Sequence, residues 1–366
     1  MKAIEVTVCH RPDDTRIYHK YVKSLLNEGY EVLYIAPSNF IKPNNRITPL
    51  SINQSNFVMI RLMRLIFLIP KMLKFKSHFI HIHDPELLLL CPIFKILRFK
   101  VIYDMHENFV KELDDKPISS VNKFFQKAVW NFLEYFVLKN INVVFAEASY
   151  KKYFPEHKDN PAIQNFPTKE NYLNLCAPSK YPNQIPKFVY LGTITEDRGA
   201  LKTIRCLKNA FADGNYELHF IGDIPNKIFE AEFKKKIKGD KNIVFHGFQQ
   251  GEKKIQICTA CDVGLAILDS RENYIESYPT KIFEYIVCGL PIITSNFDLY
   301  KSVVNLNKIG ICVDPMNEDD ITNAFKKILS LDEYATYSNG VRNFPTSNFI
   351  WESEFMKFMQ FAKGLL

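Results

Sequence analysis

Two carboxylates, Glu276 and Glu284, stand eight positions apart in the stretch ESYPTKIFEYIVCGLPIITSN, residues 276–296. Between them lies Pro279, which suits the first turn of a helix because its missing N–H needs no partner there. Residues 281–287 read as a short buried helix, and Gly289 stops it. Residues 291–294 form a short apolar run, the pattern of a buried parallel strand. The N-terminus of such a helix is an anion site, because free amides and the helix dipole point the same way. Carboxylates fixed beside it hold hydroxyl groups. Phosphate next to polyol is the chemistry of a sugar nucleotide.

The elements that must position this stretch alternate along the chain. Residues 4–8 read as a strand, 17–28 as a helix closed by Gly29, and 31–36 as a second strand, a βαβ opening. The glycine-rich dinucleotide fingerprint is missing from that first turn, which counts against a nicotinamide cofactor. Residues 79–84 and 101–107 are strands that end in the polar groups HIHD and DMHE. Ligands collect at the carboxyl ends of strands in open α/β sheets, so His83, Asp104, His106 and Glu107 belong at a site. His81 and His83 share a strand face. No third ligand is close to them in sequence, so no metal is expected. Helices are expected over 87–97 and 117–139, and a strand over 142–146. A proline-rich stretch, 151–186, reads as linker and hinge. Strands at 187–191, 216–222, 243–247 and 261–267 then build a second doubly wound sheet.

The 366 residues suit two domains, each with its own core. The net charge of +7 is uneven: residues 1–170 hold 24 Lys and Arg against 17 Asp and Glu, and the remainder 23 against 23. A basic half points to nucleic acid, anionic lipid or acidic ligands. No nucleic-acid module is readable, so no nucleic acid partner is expected and lipid is the better reading. Residues 56–76 carry Arg61, Arg64, Lys71, Lys74 and Lys76 among apolar side chains, with no acid. This segment is too charged to span a bilayer. It reads as a basic amphipathic helix lying on an anionic membrane surface. Of eight cysteines only Cys258 and Cys261 form a C-x-x-C, without a second pair, so zinc is not expected. Apolar-embedded cysteines and the lack of a signal peptide fit the cytoplasm, peripheral at the inner face of the cell membrane.

Pro279, Lys281, Phe283, Glu284, Tyr285, Gly289 and Pro291 match P-x-K-x-F-E-Y-x-x-x-G-x-P. This resembles the donor-binding signature of retaining glycosyltransferases of the GT-B fold, the family-four group. The resemblance implies that Glu284 binds the donor ribose and Glu276 the donor sugar, with the loop amides of Ser277, Tyr278 and Thr280 on the diphosphate. The commoner form has Gly-Phe-Gly after the first glutamate, where this chain has Ser277 and Tyr278. Gly192 to Gly199 resembles the family's G-R-x-x-x-x-K-G, in which Arg and Lys hold the diphosphate. Thr193 replaces that Arg and Arg198 stands for the Lys. Lys281, or Lys202, is expected to restore the missing charge. Phe248 falls near the family's base site. On the first half, residues 13–17 resemble a D-x-R-I segment, 81–86 an H-x-H-D-P-E strand end and 103–107 a Y-D-x-H-E. They imply an acceptor side built from Asp14, Arg16, His83, Asp104 and Glu107, with His106 beside the donor sugar.

The expected fold is α/β, GT-B, with two doubly wound Rossmann-like domains facing a central cleft. Residues 1–168 form the acceptor-side domain, with 347–366 packing back on it. Residues 169–186 link it to the donor domain, 187–346. The implied activity is metal-independent, retaining transfer of a sugar from a nucleoside diphosphate sugar to a lipid-linked or polysaccharide acceptor of the cell surface. No cofactor is expected beyond that donor. His106, Glu276, Arg198 and Lys281 would be catalytic. A sugar-nucleotide epimerase of the same fold and a non-catalytic nucleotide- or partner-binding relative are the alternatives.

Overall fold

The computed structural model describes residues 1–38, 40–53, 55, 57–106, 124, 127–128, 130–133, 136–173, 182–249 and 251–365. The chain divides into two compact units. One is Met1–Thr168 with Ile350–Leu366, and the other is Lys169–Phe349.

The first unit is built on six parallel strands: β1 (Lys2–Val6), β2 (Glu31–Pro37), β3 (Ile47–Ile52), β4 (Phe79–Ile82), β5 (Val101–Met105) and β6 (Asn142–Phe145). Their order is β3-β2-β1-β4-β5-β6. The central strands are buried on both faces, as apolar runs such as residues 32–36 require. Three charged or titratable groups break that rule: Glu5 and His81, register partners on β1 and β4, and Asp104 on β5 are all fully buried. The helix Trp351–Gly364 packs on this unit, with Trp351 Nε1 donating to Ser24 Oγ at 2.8 Å. Tyr21 meets the Trp351 ring edge-on, at 4.9 Å between centroids.

Two helices differ from expectation. Residues 56–76 form two helices, Val58–Ile66 and Ile69–Phe75, because Pro70 cannot donate into a continuous ladder and instead starts the second. Residues 87–97 start as a tight helical stretch, Pro85–Leu90, and become an α-helix only at Cys91–Ile96, where Pro92 sits in the first turn. The helix expected over 117–139 lies largely outside the described residues. Among the described residues no helix is long and apolar enough to cross a membrane.

The second unit has strands β7 (Lys187–Leu191), β8 (Glu217–Ile221), β9 (Ile243–Phe245), β10 (Val263–Ala266), β11 (Ile292–Ser295) and β12 (Gly310–Val313). All are parallel, in the order β12-β11-β10-β7-β8-β9. The helix Thr280–Val287 lies against β10 and is fixed by one side chain. Tyr285 Oη donates to the Leu265 carbonyl at 2.8 Å and accepts from the Leu191 amide at 2.9 Å. Its ring sits over Gly264, where a Cβ would meet ring atoms at 2.3 Å, so the helix can approach only a glycine there. Gly289, at φ +75°, takes the left-handed turn that ends the helix and sends the chain into β11. Pro279 is the residue just before the helix rather than part of its first turn.

Candidate active site

In the second unit the loop after β7 and the start of the helix Thr280–Val287 come together. Lys281 lies in the first turn of that helix, 6% exposed. Its Nζ sits 4.7 Å from the Tyr190 ring centroid and has no hydrogen-bond partner. Its Cε lies 3.9 Å from where a Cβ on Gly192 would stand. Burial, together with the nearby Arg198 guanidinium, pushes the Lys281 amine down to about 7. The helix start carries no side-chain cap, since Pro279 has none to offer, so its first amides are left to a ligand or to solvent.

Two tyrosines hold the loop, and neither role is visible in the local sequence. Tyr190 Oη contacts the carbonyls of Thr193 (3.2 Å) and Arg198 (3.0 Å), which fixes the loop over its ring. Tyr274 Oη donates to Asp197, and Arg198 packs its guanidinium on the Tyr274 ring, 5.5 Å from the centroid. Arg198 Nε also reaches Tyr274 Oη at 3.3 Å. Tyr190 is read from the sequence only as a strand residue, and Tyr274 is separated from Arg198 by 76 positions.

The other donor-side residues divide. Glu284 is a third exposed and pairs with Lys254 at 2.6 Å, a partner absent from the sequence reading and carried on a separate helix, Gly251–Thr259. Glu276 caps the four-residue helix Glu272–Ile275 by its backbone, and Ser277 Oγ donates to the Asn273 carbonyl. Tyr278 meets Phe283 edge-on. Thr280 is exposed at the helix start, and Phe248 is an exposed aromatic ring after β9. Lys202 corrects an expectation: its ammonium is tied to Asp269 and to the Pro315 carbonyl, so its charge is already neutralised within the protein. Beside the loop lies an open cavity of about 370 Å³ lined by Glu196, Asp197, Asp269 and Arg271 among others.

In the first unit the polar residues expected at strand ends do meet. Arg16 is buried and grips Asp104 with two bonds, Nε to Oδ2 and Nη2 to Oδ1, both 2.8 Å. Its Nη1 is buried without a partner. Burial alone would raise Asp104, but Arg16 and His106 hold it well below the usual carboxylate range. His106 Nε2 lies 2.9 Å from Asp104 Oδ2, and His83 Nδ1 lies 3.3 Å from His106 Nε2. His83 Nε2 reaches Glu5 at 2.7 Å. Burial pushes the Glu5 carboxyl up to about 7 against the bond from His83, and pushes His81 down to about 3. Asp14 does other work: its Oδ1 accepts from the amides of Arg16 (2.8 Å) and Ile17 (2.9 Å) and so caps the helix that follows. Glu107 lies outside the described residues. Glu5, in mid-strand, was not singled out in the sequence.

The segment over 56–76 also needs a correction. Arg61 pairs with Glu86, Nε to Oε1 at 2.7 Å, so an acid from outside the segment does balance part of its charge. Lys71, Lys74 and Lys76 remain exposed, beside exposed Phe57, Met59, Met63 and Phe67.

The buried amine has a measurable consequence. An ordinary lysine keeps its proton to about pH 10.4 in the unfolded chain, whereas folded Lys281 loses it near 7. Between these values the unfolded state binds more protons, so stability rises with pH there, and the penalty is fully present below the folded value. In the ligand-free protein Lys281→Met should therefore raise the melting temperature most at pH 6. The gain should shrink as pH approaches 10. A difference between the two proteins that is constant across this range would mean Lys281 is solvated.

Residues 177–339 match the family model described as Glycosyl transferases group 1. No curated protein matches the chain in sequence. Solved structures match it over nearly their whole length. Sucrose-phosphate synthase from Thermosynechococcus elongatus has 16% identity and a TM-score of 0.73, covering 100% of this chain and 98% of its own. Anabaena HepE in complex with UDP and glucose has 14% identity and a TM-score of 0.73, covering 100% of both. WaaG, a glycosyltransferase involved in lipopolysaccharide biosynthesis, has 13% identity and a TM-score of 0.70, covering 97% of this chain and 98% of its own. The family match is to transferases, which favours that reading over the epimerase and the non-catalytic relative. The chain has the GT-B fold, and residues 177–339, in its second unit, match a group 1 glycosyl transferase domain.

Proposed function

We propose that the enzyme transfers a sugar from a nucleoside diphosphate sugar, with retention and without a metal, to a lipid-linked or saccharide acceptor in cell-surface polysaccharide synthesis. The observation that carries the donor assignment is the buried, unpartnered Lys281 Nζ at the uncapped start of the helix Thr280–Val287. Unpaired buried charge is costly, and the cost is recovered only when an anion arrives. Structures of the same fold with UDP and glucose, and with UDP-glucose, support the donor class. The lipopolysaccharide role of WaaG supports the acceptor class.

In this reading the bond between the anomeric carbon and the diphosphate oxygen breaks, and negative charge builds on the leaving phosphate. Lys281 and Arg198 stabilise it, with the helix amides of Thr280 and its neighbours. This electrostatic term is the main catalytic task of such a site. Glu284 leaves its pair with Lys254 to accept the ribose hydroxyls, and Phe248 stacks on the base. Glu276, with Ser277 and Tyr278, contacts the donor sugar, and Gly192 keeps the loop close to it. On the first unit His106 orients the reacting sugar, while Arg16, with its free Nη1, His83 and Asp104 serve the acceptor. Lys281→Met should lower the turnover number by roughly a hundredfold, the scale of one lost oxyanion contact, with a smaller loss in donor affinity. Adding Thr193→Arg should recover part of the rate. Near-normal turnover of Lys281→Met would contradict the role.

The acceptor assignment carries a membrane surface with it. Phe67 is 80% exposed, and exposed Met59 and Met63 lie on the helix before it, Lys71 and Lys74 on the helix after it. Basic residues near an anionic surface contribute about 1 kcal/mol each, with strong salt dependence. Arg61, held by Glu86, is left out of the test. Changing Lys71 and Lys74 to Gln and Phe67 to Ser should abolish sedimentation with phosphatidylserine vesicles at low salt. Equal sedimentation with neutral and anionic vesicles would contradict the membrane reading.

A further inference from the structure

We infer that the first unit contains a site for a tetrahedral divalent transition metal of the zinc class, ligated by His83 Nδ1, Asp104 Oδ2 and His106 Nε2. The three atoms belong to residues at the carboxyl ends of two adjacent strands, β4 and β5, so the sheet itself sets their spacing. Their separations are 2.9 Å (Asp104 to His106), 3.3 Å (His83 to His106) and 3.5 Å (His83 to Asp104). A tetrahedral ion with bonds of ~2.0–2.1 Å needs ligand atoms about 3.3 Å apart. The three side chains already have one face of that tetrahedron in place.

The surrounding groups fit a metal site as well. His83 Nε2 lies 2.7 Å from Glu5 Oε2, so its N–H donates there and the Nδ1 lone pair faces Asp104 and His106. A carboxylate behind a ligating histidine fixes the tautomer that a metal requires and raises the basicity of the ring. His81 Nδ1, at 3.1 Å, holds the same Glu5 oxygen from the other side. Arg16 fixes Asp104 through both oxygens and leaves Oδ2 able to bind further. Two carboxylates stand against this one guanidinium. His106 has only to carry its proton on Nδ1. His83 and Asp104 are fully buried, whereas His106 is 17% exposed, so the fourth position opens on its side. Glu5, His81 and His83 form a second ligand-like group, but it is sealed on all members and its carboxylate is already held by both histidines. Two nitrogens and one oxygen select zinc or cobalt over magnesium or calcium.

An ion here would draw His106 away from the donor sugar. That consequence rests on the transferase reading above, whereas the binding itself does not. The test is titration of the full chain, stripped of metal, with Co²⁺, followed by visible absorption and then by displacement with Zn²⁺. The expected result is one saturating equivalent with the intense bands of tetrahedral cobalt, removed by Zn²⁺. His106→Gln, at the one ligand position that reaches solvent, where the fold should persist, should weaken binding by at least about tenfold. His83→Gln should do the same, and His78→Gln, at the opposite end of β4, should leave the titration unchanged. Weak, pale binding, or tetrahedral bands that survive His106→Gln, would overturn the site. Neither result would bear on whether the enzyme transfers a sugar, which a donor-turnover assay reads separately.

Discussion

An ammonium group removed from water and given no acceptor is the constraint on which the second unit's site depends. Lys281 is held in that state from three directions. Tyr190 lies under it, Arg198 repels it and the helix start beyond it is without a cap. Each of these is anchored in turn: Tyr190 by the two carbonyls it bonds, Arg198 by Tyr274, and the helix by Tyr285 across Gly264. The site is therefore strained electrostatically rather than sterically. Its unbound form bears a desolvation cost, and under the proposed function an incoming diphosphate removes it.

The first unit solves the opposite problem. It buries several titratable groups and satisfies almost all of them with each other. Arg16 neutralises Asp104, Glu5 lies between His81 and His83, and His106 closes the chain toward solvent. Removing one partner from such a network leaves another buried and unpaired, which is costlier than the bond itself. The rigidity that follows places three ligand atoms at fixed separations, whether their occupant is a hydroxyl-bearing acceptor or a metal ion.

The architecture was legible because parallel strands buried on both faces are written as uninterrupted apolar runs. Residues 32–36 and 188–191 are examples, and the glycines that end helices mark the turns between them. The signature over 279–291 was legible because its spacing is local. Side-chain pairing across the sheet was not. Glu5 reads as an odd acid within a strand, and only the register of β1 with β4 reveals that it faces His81. The histidines of residues 81–83 seemed to lack a third ligand because Asp104 and His106 arrive from the next strand. Lys254 and Tyr274 are invisible for the same reason: their partners, Glu284 and Arg198, are 30 and 76 positions away. Lys202 and Arg61 looked like free charges because Asp269 and Glu86 lie far from them in the chain. The breaks at Pro70 and Pro92 were misread although their cause stands in the local sequence.

The most direct test of the buried amine as the diphosphate site is its proton count on binding. Calorimetric titration of the enzyme with a nucleoside diphosphate at pH 8, in buffers of different ionisation enthalpy, reports protons taken up. Free Lys281, at about 7, is mostly neutral at that pH, and a phosphate beside it restores the charge. The account predicts uptake of most of one proton by the wild type and none of that fraction by Lys281→Met. Equal proton uptake by the two proteins would contradict it.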